Sequence, residues 1–176
     1  MQRHYRSMVE SWGTKAKFSL PAYLWYLFII ALLALLTKIH SGAYLVPPFL
    51  ATLSLIHLLP DAPISQPYAV IVGSVAGTGV GVLMTFFGYG PFFAGASAAI
   101  AFIAIHWLRA YHPPGVALAL YPALLHVPRL FPFQVVLPFT LVAVGSAALF
   151  SRLSPHWPKY PLPLGKVAPA PWSNVD

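Results

Sequence analysis

The sequence predicts an all-α polytopic transmembrane helix bundle, on the evidence of its composition and its hydropathy pattern. Hydrophobic residues fill 59% of the 176 positions and charged residues only 7%, whereas an average soluble domain is about 25% charged. Apolar runs long enough to cross a bilayer recur along the chain, separated by short links rich in proline and glycine. The chain has no cysteine, which excludes disulfides and cysteine-ligated metals. We therefore expect one compact bundle in a membrane.

Four apolar runs have roughly the length that a membrane-crossing helix needs, and two further runs are short or broken. The predicted spans are 20–37, 68–87, 92–108 and 133–150, and the short segments are 43–59 and 115–127. These six segments form a single transmembrane domain, 20–152. A basic arm, 1–19, precedes it, and a proline-rich tail without periodicity, 153–176, follows it and is expected to be irregular.

The distribution of basic residues predicts which side of the membrane holds the termini. If all six segments cross, one side holds eight lysines and arginines and the other holds two; the larger set is Arg3, Arg6, Lys15, Lys17, Arg109, Arg152, Lys159 and Lys166, and the smaller is Lys38 and Arg129. The positive-inside rule then predicts a multi-pass protein of the cell inner (plasma) membrane with both termini cytoplasmic. A four-span alternative, in which the short segments re-enter the membrane, also keeps both termini inside. The net charge of +7 is assigned to topology and anionic lipid, not to nucleic acid.

Two proline pairs divide the transmembrane domain into similar halves. Pro47-Pro48 and Pro113-Pro114 each follow a full span, open a short apolar segment, and precede a proline-containing link and another span. Proline suits the first turn of a helix and disfavours a helix that continues through it. Since three crossings per half would invert the second half, we predict two inverted three-segment repeats with broken helices, a pattern typical of transporters.

The starts of the two broken helices are the predicted binding site for a small anion. Helix N-termini present free N–H groups and the positive end of the helix dipole. The expected backbone donors lie at Phe49, Leu50, Ala51, Gly115, Val116 and Ala117, and the expected side-chain donors are Thr52, Ser54 and His112. For His112 a proton-carrying role and a helix-capping role at the membrane interface remain open.

A second group of residues is predicted to form a gate or a structural motif around this site. It comprises Pro47, Pro48, Pro113, Pro114, Asp61, Gln66 and Arg109. Asp61 is read either as a turn-forming residue or as a gate, a proton site or an ion-pair partner of Arg109.

Gly73, Gly77 and Gly81 recur at four-residue spacing and therefore share one helix face. Such a face lets another helix approach closely. It is expected to pack against a helix of the chain, a partner helix or a second copy in a homo-oligomer, and a substrate path is the alternative.

The sequence gives little indication of a metal site, a haem site or an enzyme active site. A haem or metal site could draw on His57, His106, His112 and His126, but these lack ligand spacing and an accompanying carboxylate, so no cofactor and no metal are expected. Paired carboxylates, a nucleophile elbow and a phosphate-binding glycine loop are also missing, so the sequence does not predict an enzyme.

Three motifs carry a resemblance to a known family. They are Tyr111-His112-Pro113-Pro114-Gly115-Val116-Ala117-Leu118-Ala119-Leu120, Pro48-Phe49-Leu50-Ala51-Thr52 and Asp61-Ala62-Pro63-Ile64-Ser65-Gln66-Pro67. In this order, over about residues 20–150, they resemble the HPP family of integral membrane proteins, some members of which are linked to nitrite transport. The chain has bulkier residues than the family favours after both proline pairs.

The resemblance implies a transporter or channel for a small anion, with nitrite as the first candidate. The rival hypothesis is a non-transporting accessory or assembly subunit of a membrane complex. A transporter needs a polar path lined by Thr52, Ser54 and His112, whereas an accessory subunit can pack these side chains away from water.

Overall fold

A computed structural model describes residues 20–40, 45–153 and 159–163, and these ranges contain helices and turns but no strand. The helices are α1 (Leu20–His40), α2 (Pro47–Leu58), α3 (Pro67–Met84), α4 (Pro91–Trp107), α5 (Pro113–Leu118), α6 (Tyr121–Leu125) and α7 (Leu137–Leu153). A 3₁₀ turn, Pro63–Ser65, precedes α3, and a π-helical turn, Pro132–Val136, leads into α7. The all-α prediction is confirmed. The predicted basic arm and most of the proline-rich tail lie outside the described residues.

Proline opens most of these helices. It occupies the first turn of α2, α3, α4 and α5, where its fixed φ suits the helix and its missing N–H would have had no helical partner. The residue before each proline is extended or in the left-handed region; examples are Val46 at φ −111° and His112 at φ −135°. The chain therefore breaks at both Pro-Pro pairs, as the sequence predicts.

The helices fall into long and short classes. Three described segments are long and apolar enough to span a membrane: Leu20–Ile39, Pro67–Met84 and Pro132–Leu153. The fourth predicted span is a 17-residue apolar helix, α4, which covers about 25 Å at 1.5 Å per residue. With 12 residues, α2 covers only about 18 Å, less than the ~30 Å hydrocarbon core. The segment Pro113–Leu125 is similarly short and is split into two helices, α5 of 6 residues and α6 of 5 residues.

The order long helix, short helix, link, long helix occurs twice along the chain. This order agrees with two three-segment halves. The inverted relation between the halves and the number of crossings stay predictions.

Helix α3 lies at the centre of the bundle and contacts α4, α5, α6 and α7. Its glycine face, Gly73, Gly77 and Gly81, lies against the backbone of residues 110–122. A Cβ added at Gly77 would collide with the carbonyl group of Gly115, and one at Gly81 would collide with the carbonyl oxygen of Ala119. The predicted close-packing face therefore packs against α5 and α6 of the same chain. It is not the surface through which a partner helix or second copy would bind, because this backbone already covers it.

Helices α1 and α7 both pack against α2. The rings of Phe49 in α2 and Phe139 in α7 stack with centroids 3.9 Å apart. Trp25 in α1 is buried, and its indole N–H donates to Ser146 Oγ in α7 at 2.8 Å. On another side α2 contacts α5, and this contact positions the candidate site.

Candidate transport site

His112, the residue before the second proline pair, joins three separate segments. Its Nδ1–H donates to the carbonyl oxygen of Ile64 at 2.7 Å, and its Nε2 lies 2.9 Å from Thr52 Oγ1. The Ile64 carbonyl belongs to the link before α3, and Thr52 belongs to α2. Both His112 and Thr52 are fully buried. The expectation that the His112 side chain caps the preceding helix is wrong, since both ring nitrogens bond to residues outside that helix. Its depth in the membrane stays a prediction.

The polar hydrogens of His112 and Thr52, which together form the His112 junction, already take part in hydrogen bonds. A carbonyl oxygen only accepts, so the hydrogen on Nδ1 of His112 is used by Ile64. In the neutral imidazole Nε2 is then an acceptor, and the single hydroxyl hydrogen of Thr52 is shared between Nε2 and the carbonyl oxygen of Pro48, 3.0 Å away. Neither side chain has a hydrogen left to donate to an anion in this conformation.

One backbone amide at each of the two helix starts is also hydrogen-bonded within the turn. In each helix prolines remove the first two N–H groups, and the third donates to the residue before the prolines. The N–H of Phe49 donates to Val46 O at 2.9 Å, and that of Gly115 donates to His112 O at 2.8 Å. Ala51 and Ala117 lie at positions where an α-helix bonds each N–H four residues back. Of the expected amide donors, those of Phe49 and Gly115 are therefore already bonded to the residue before each proline pair.

A groove of about 610 Å³ separates the two short-helix regions. Its lining residues are Pro47, Pro48, Ala51, Ser54, Leu55, Leu58, Leu59, Pro113, Pro114, Ala117, Leu120 and Tyr121. Both proline pairs thus face the same space. Ser54 Oγ donates to Leu50 O at 2.9 Å and is 3.1 Å from the hydroxyl oxygen of Tyr26.

The groove brings together only some of the predicted site residues. It includes the four motif prolines, Ala51, Ser54 and Ala117. Phe49, Thr52, His112 and Gly115 are buried and do not line it, and Val116 is half-buried. The predicted polar path through Thr52, Ser54 and His112 is therefore reduced to Ser54 at the groove surface.

The link between α2 and α3 holds two of the predicted gate residues in different settings. Asp61 is exposed, whereas Gln66 is buried. The Gln66 amide donates to Pro60 O at 2.7 Å, and its Oε1 accepts the N–H of Leu162 at 3.1 Å. Gln66 thus ties the link to itself and to the C-terminal segment.

Arg109, the third polar residue of the gate group, is exposed and ends α4 in the left-handed region, at φ 53°. The N–H of Ala110 donates to Ile105 O and that of Arg109 donates to His106 O, both at 2.9 Å. This hydrogen-bond pair is a Schellman motif, in which glycine usually occupies the position of Arg109. The role that the geometry gives Arg109 is to end a helix.

Two partners of the site are not among the residues that the sequence predicts. One is the carbonyl group of Ile64, which leaves no signature in a side-chain pattern. The other is Tyr160, which is 3% exposed and donates its hydroxyl hydrogen to Ser65 O at 2.9 Å. Tyr160 is one of three aromatic residues in the proline-rich tail, with Trp157 and Trp172, so the sequence offered a signal but did not single it out.

The remaining histidines do not gather around His112. His106 and His126 are exposed and stack on Phe102 and Tyr89, while His57 packs edge-on against Tyr23. Within the described residues no three histidine or acidic side chains come close enough to hold a metal ion.

Comparison with known proteins places the whole bundle in one family. The family model of the HPP transmembrane region matches residues 15–161. The match includes both Pro-Pro helices, the link with Gln66, and Tyr160. No curated protein and no solved structure matches the chain.

Proposed function

Because the chain belongs to the HPP family of integral membrane proteins, we propose that it is a transporter or channel for a small anion, with nitrite as the first candidate. The convergence of the two interrupted helix starts carries this proposal. Thr52 of α2 hydrogen-bonds to His112 at the start of α5, and both proline pairs line one groove. Interrupted helices that meet at one place are the arrangement that transporters use for substrate.

The proposed mechanism couples anion binding to opening of the His112 junction. In the described conformation the hydrogens on His112 and Thr52 are paired, so these two side chains can donate to an anion only when one of their hydrogen bonds breaks. Release of Nδ1–H from Ile64, or of the Thr52 hydroxyl from its two acceptors, would supply that donor beside the groove. A neutral hydrogen bond contributes about 1 kcal/mol net, so an anion of modest affinity is able to drive the change. The dipole of α2 favours an anion over a cation at the same place.

One observation favours the accessory-subunit alternative. Thr52 and His112 are fully buried and bonded to each other, and the groove is lined mainly by proline and leucine side chains. A subunit that transports nothing could keep this arrangement permanently and use the groove for contacts with apolar groups.

Flux measurements in liposomes distinguish the two functions. Purified protein is reconstituted and tested with nitrite, nitrate, formate and chloride, using protein-free liposomes as the blank. We expect uptake of at least one anion and a loss of about tenfold or more in His112→Ala. His126→Ala is the matched control, because His126 is exposed and lies outside the junction, and it should retain flux.

A second variant tests the packing of α5 against α3 rather than the histidine. Gly115→Leu would force a side chain into the contact with α3 and should also reduce flux. If folded wild-type protein moves none of the four anions, the transport hypothesis is wrong and the accessory role is favoured.

A further inference from the structure

Residues 159–163 form a short strap that crosses the surface of the link before α3. Tyr160 N donates to Ser151 Oγ at the end of α7 at 2.8 Å, and the Tyr160 hydroxyl donates to Ser65 O at 2.9 Å. Leu162 N donates to Gln66 Oε1 at 3.1 Å. Three hydrogen bonds thus join this segment to two different parts of the bundle, and Tyr160 is buried in the process.

The strap reaches His112 through the link. Residues 64, 65 and 66 are consecutive: Ile64 O accepts from His112, while Ser65 O and Gln66 Oε1 accept from the strap. Ser65 Oγ also donates to Leu55 O in α2 at 3.1 Å. The Ile64 carbonyl oxygen favours the Nδ1–H form of His112 by accepting that hydrogen. Its position depends on the next two residues, Ser65 and Gln66, which are hydrogen-bonded to the strap.

We infer that the strap, residues 159–163, positions His112 by holding the carbonyl of Ile64 in place, with Tyr160 and Gln66 as the positioning residues. When the strap is bound, His112 carries its hydrogen on Nδ1 and leaves Nε2 to Thr52. When the strap is released, Ser65 O loses the Tyr160 hydroxyl and Gln66 Oε1 loses the Leu162 N–H. The carbonyl oxygen of Ile64 is then free to move away from the His112 ring.

The Tyr160 hydroxyl is suited to donate its hydrogen to Ser65 O at all physiological pH values. Burial raises the pKa of its hydroxyl above the ordinary value, so it stays protonated and donating at physiological pH. Tyr160→Phe removes only this hydrogen bond and keeps the ring that fills the site. The variant therefore tests the strap with little change in packing.

The state of His112 is read by NMR of the histidine ring nitrogens in ¹⁵N-labelled protein, with His112 assigned by comparison with His112→Gln. We expect wild-type protein to show the Nδ1–H tautomer. In Tyr160→Phe and in Gln66→Leu, which removes the Oε1 acceptor of the Leu162 N–H, a second ring population with altered nitrogen shifts should appear. Tyr89→Phe and Gln134→Leu are the matched controls, because both residues are exposed and lie away from the link, and they should leave the His112 signals unchanged.

Hydrogen exchange gives a second readout that does not depend on the ring. The amides of Ala62, Ser65 and Gln66 are bonded within the link. They should exchange about five- to tenfold faster in Tyr160→Phe, the factor expected from the loss of one buried hydrogen bond. Unchanged exchange together with an unchanged His112 tautomer would overturn the inference.

The positioning of His112 by the strap does not depend on the proposed function. Only an effect of the strap on anion flux would rest on it. If the tautomer and the exchange rates respond but no anion is moved, the strap is real and the transport hypothesis fails. If flux is present and Tyr160→Phe changes neither the tautomer nor the exchange, transport stands and the strap does not position His112.

Discussion

Replacing Gly77 with alanine tests the central contact of the fold. Gly77 is buried on α3 and faces the backbone of Gly115 in α5. An added Cβ would lie 2.8 Å from the carbonyl carbon of Gly115 and closer still to its oxygen. Gly79 stands two residues away on the same helix, and a Cβ there would meet nothing within 4 Å. The two positions therefore form a matched pair in one helix.

The geometry determines the size of the effect. Ordinary contact begins at about 3.4 Å, so α3 and α5 must separate by roughly half an ångström or more. Both sides of the contact are backbone, which cannot rotate away as a side chain can. Overpacking of this kind costs about 1–3 kcal/mol, and we expect Gly77→Ala near the upper end. Gly79→Ala should be neutral or stabilising by up to about 1 kcal/mol, because alanine favours the helix over glycine.

Thermal unfolding in detergent measures the difference. For a chain of this size 1 kcal/mol corresponds to about 2–4 °C, so Gly77→Ala should melt roughly 5–10 °C below wild type and Gly79→Ala at or above it. Size-exclusion profiles before heating confirm that each variant is folded at the start. Equal losses at both positions would show that α3 resists any side chain, and the assigned glycine face would be wrong.

Three further predictions follow from the site and the topology. Thr52→Val should lower the free energy of unfolding by about 1–3 kcal/mol, because it leaves a buried nitrogen of His112 without its partner. Thr140→Val is the control, since this buried threonine bonds only within its own helical segment; equal losses would contradict the role of the junction. Arg109→Gly should stabilise by about 1 kcal/mol by relieving the left-handed backbone, whereas Arg129→Gly, at a residue without positive φ, should not; denaturation midpoints decide between them. A reporter fused after Asp176 should be cytoplasmic, and an external signal would overturn the orientation derived from charge.

The local features of the sequence determined the class of the fold and the places where its helices break. Apolar run length identified the long helices, and proline located the first turns of α2 and α5, since both properties depend only on neighbouring residues. The spacing of Gly73, Gly77 and Gly81 showed that one face of α3 allows a close approach. It did not show which backbone approaches, because a glycine face fits any helix of suitable shape.

The tertiary structure alone decided what the motif residues do. His112 meets Thr52 across 60 positions of sequence and Ile64 across 48, and no periodic pattern specifies partners so far apart. Two of the amides that were expected to bind an anion, those of Phe49 and Gly115, bond back to Val46 and His112, a detail of turn geometry that the Pro-Pro pattern does not reveal. Tyr160 became part of the site only because the tail returns to the bundle and buries its ring.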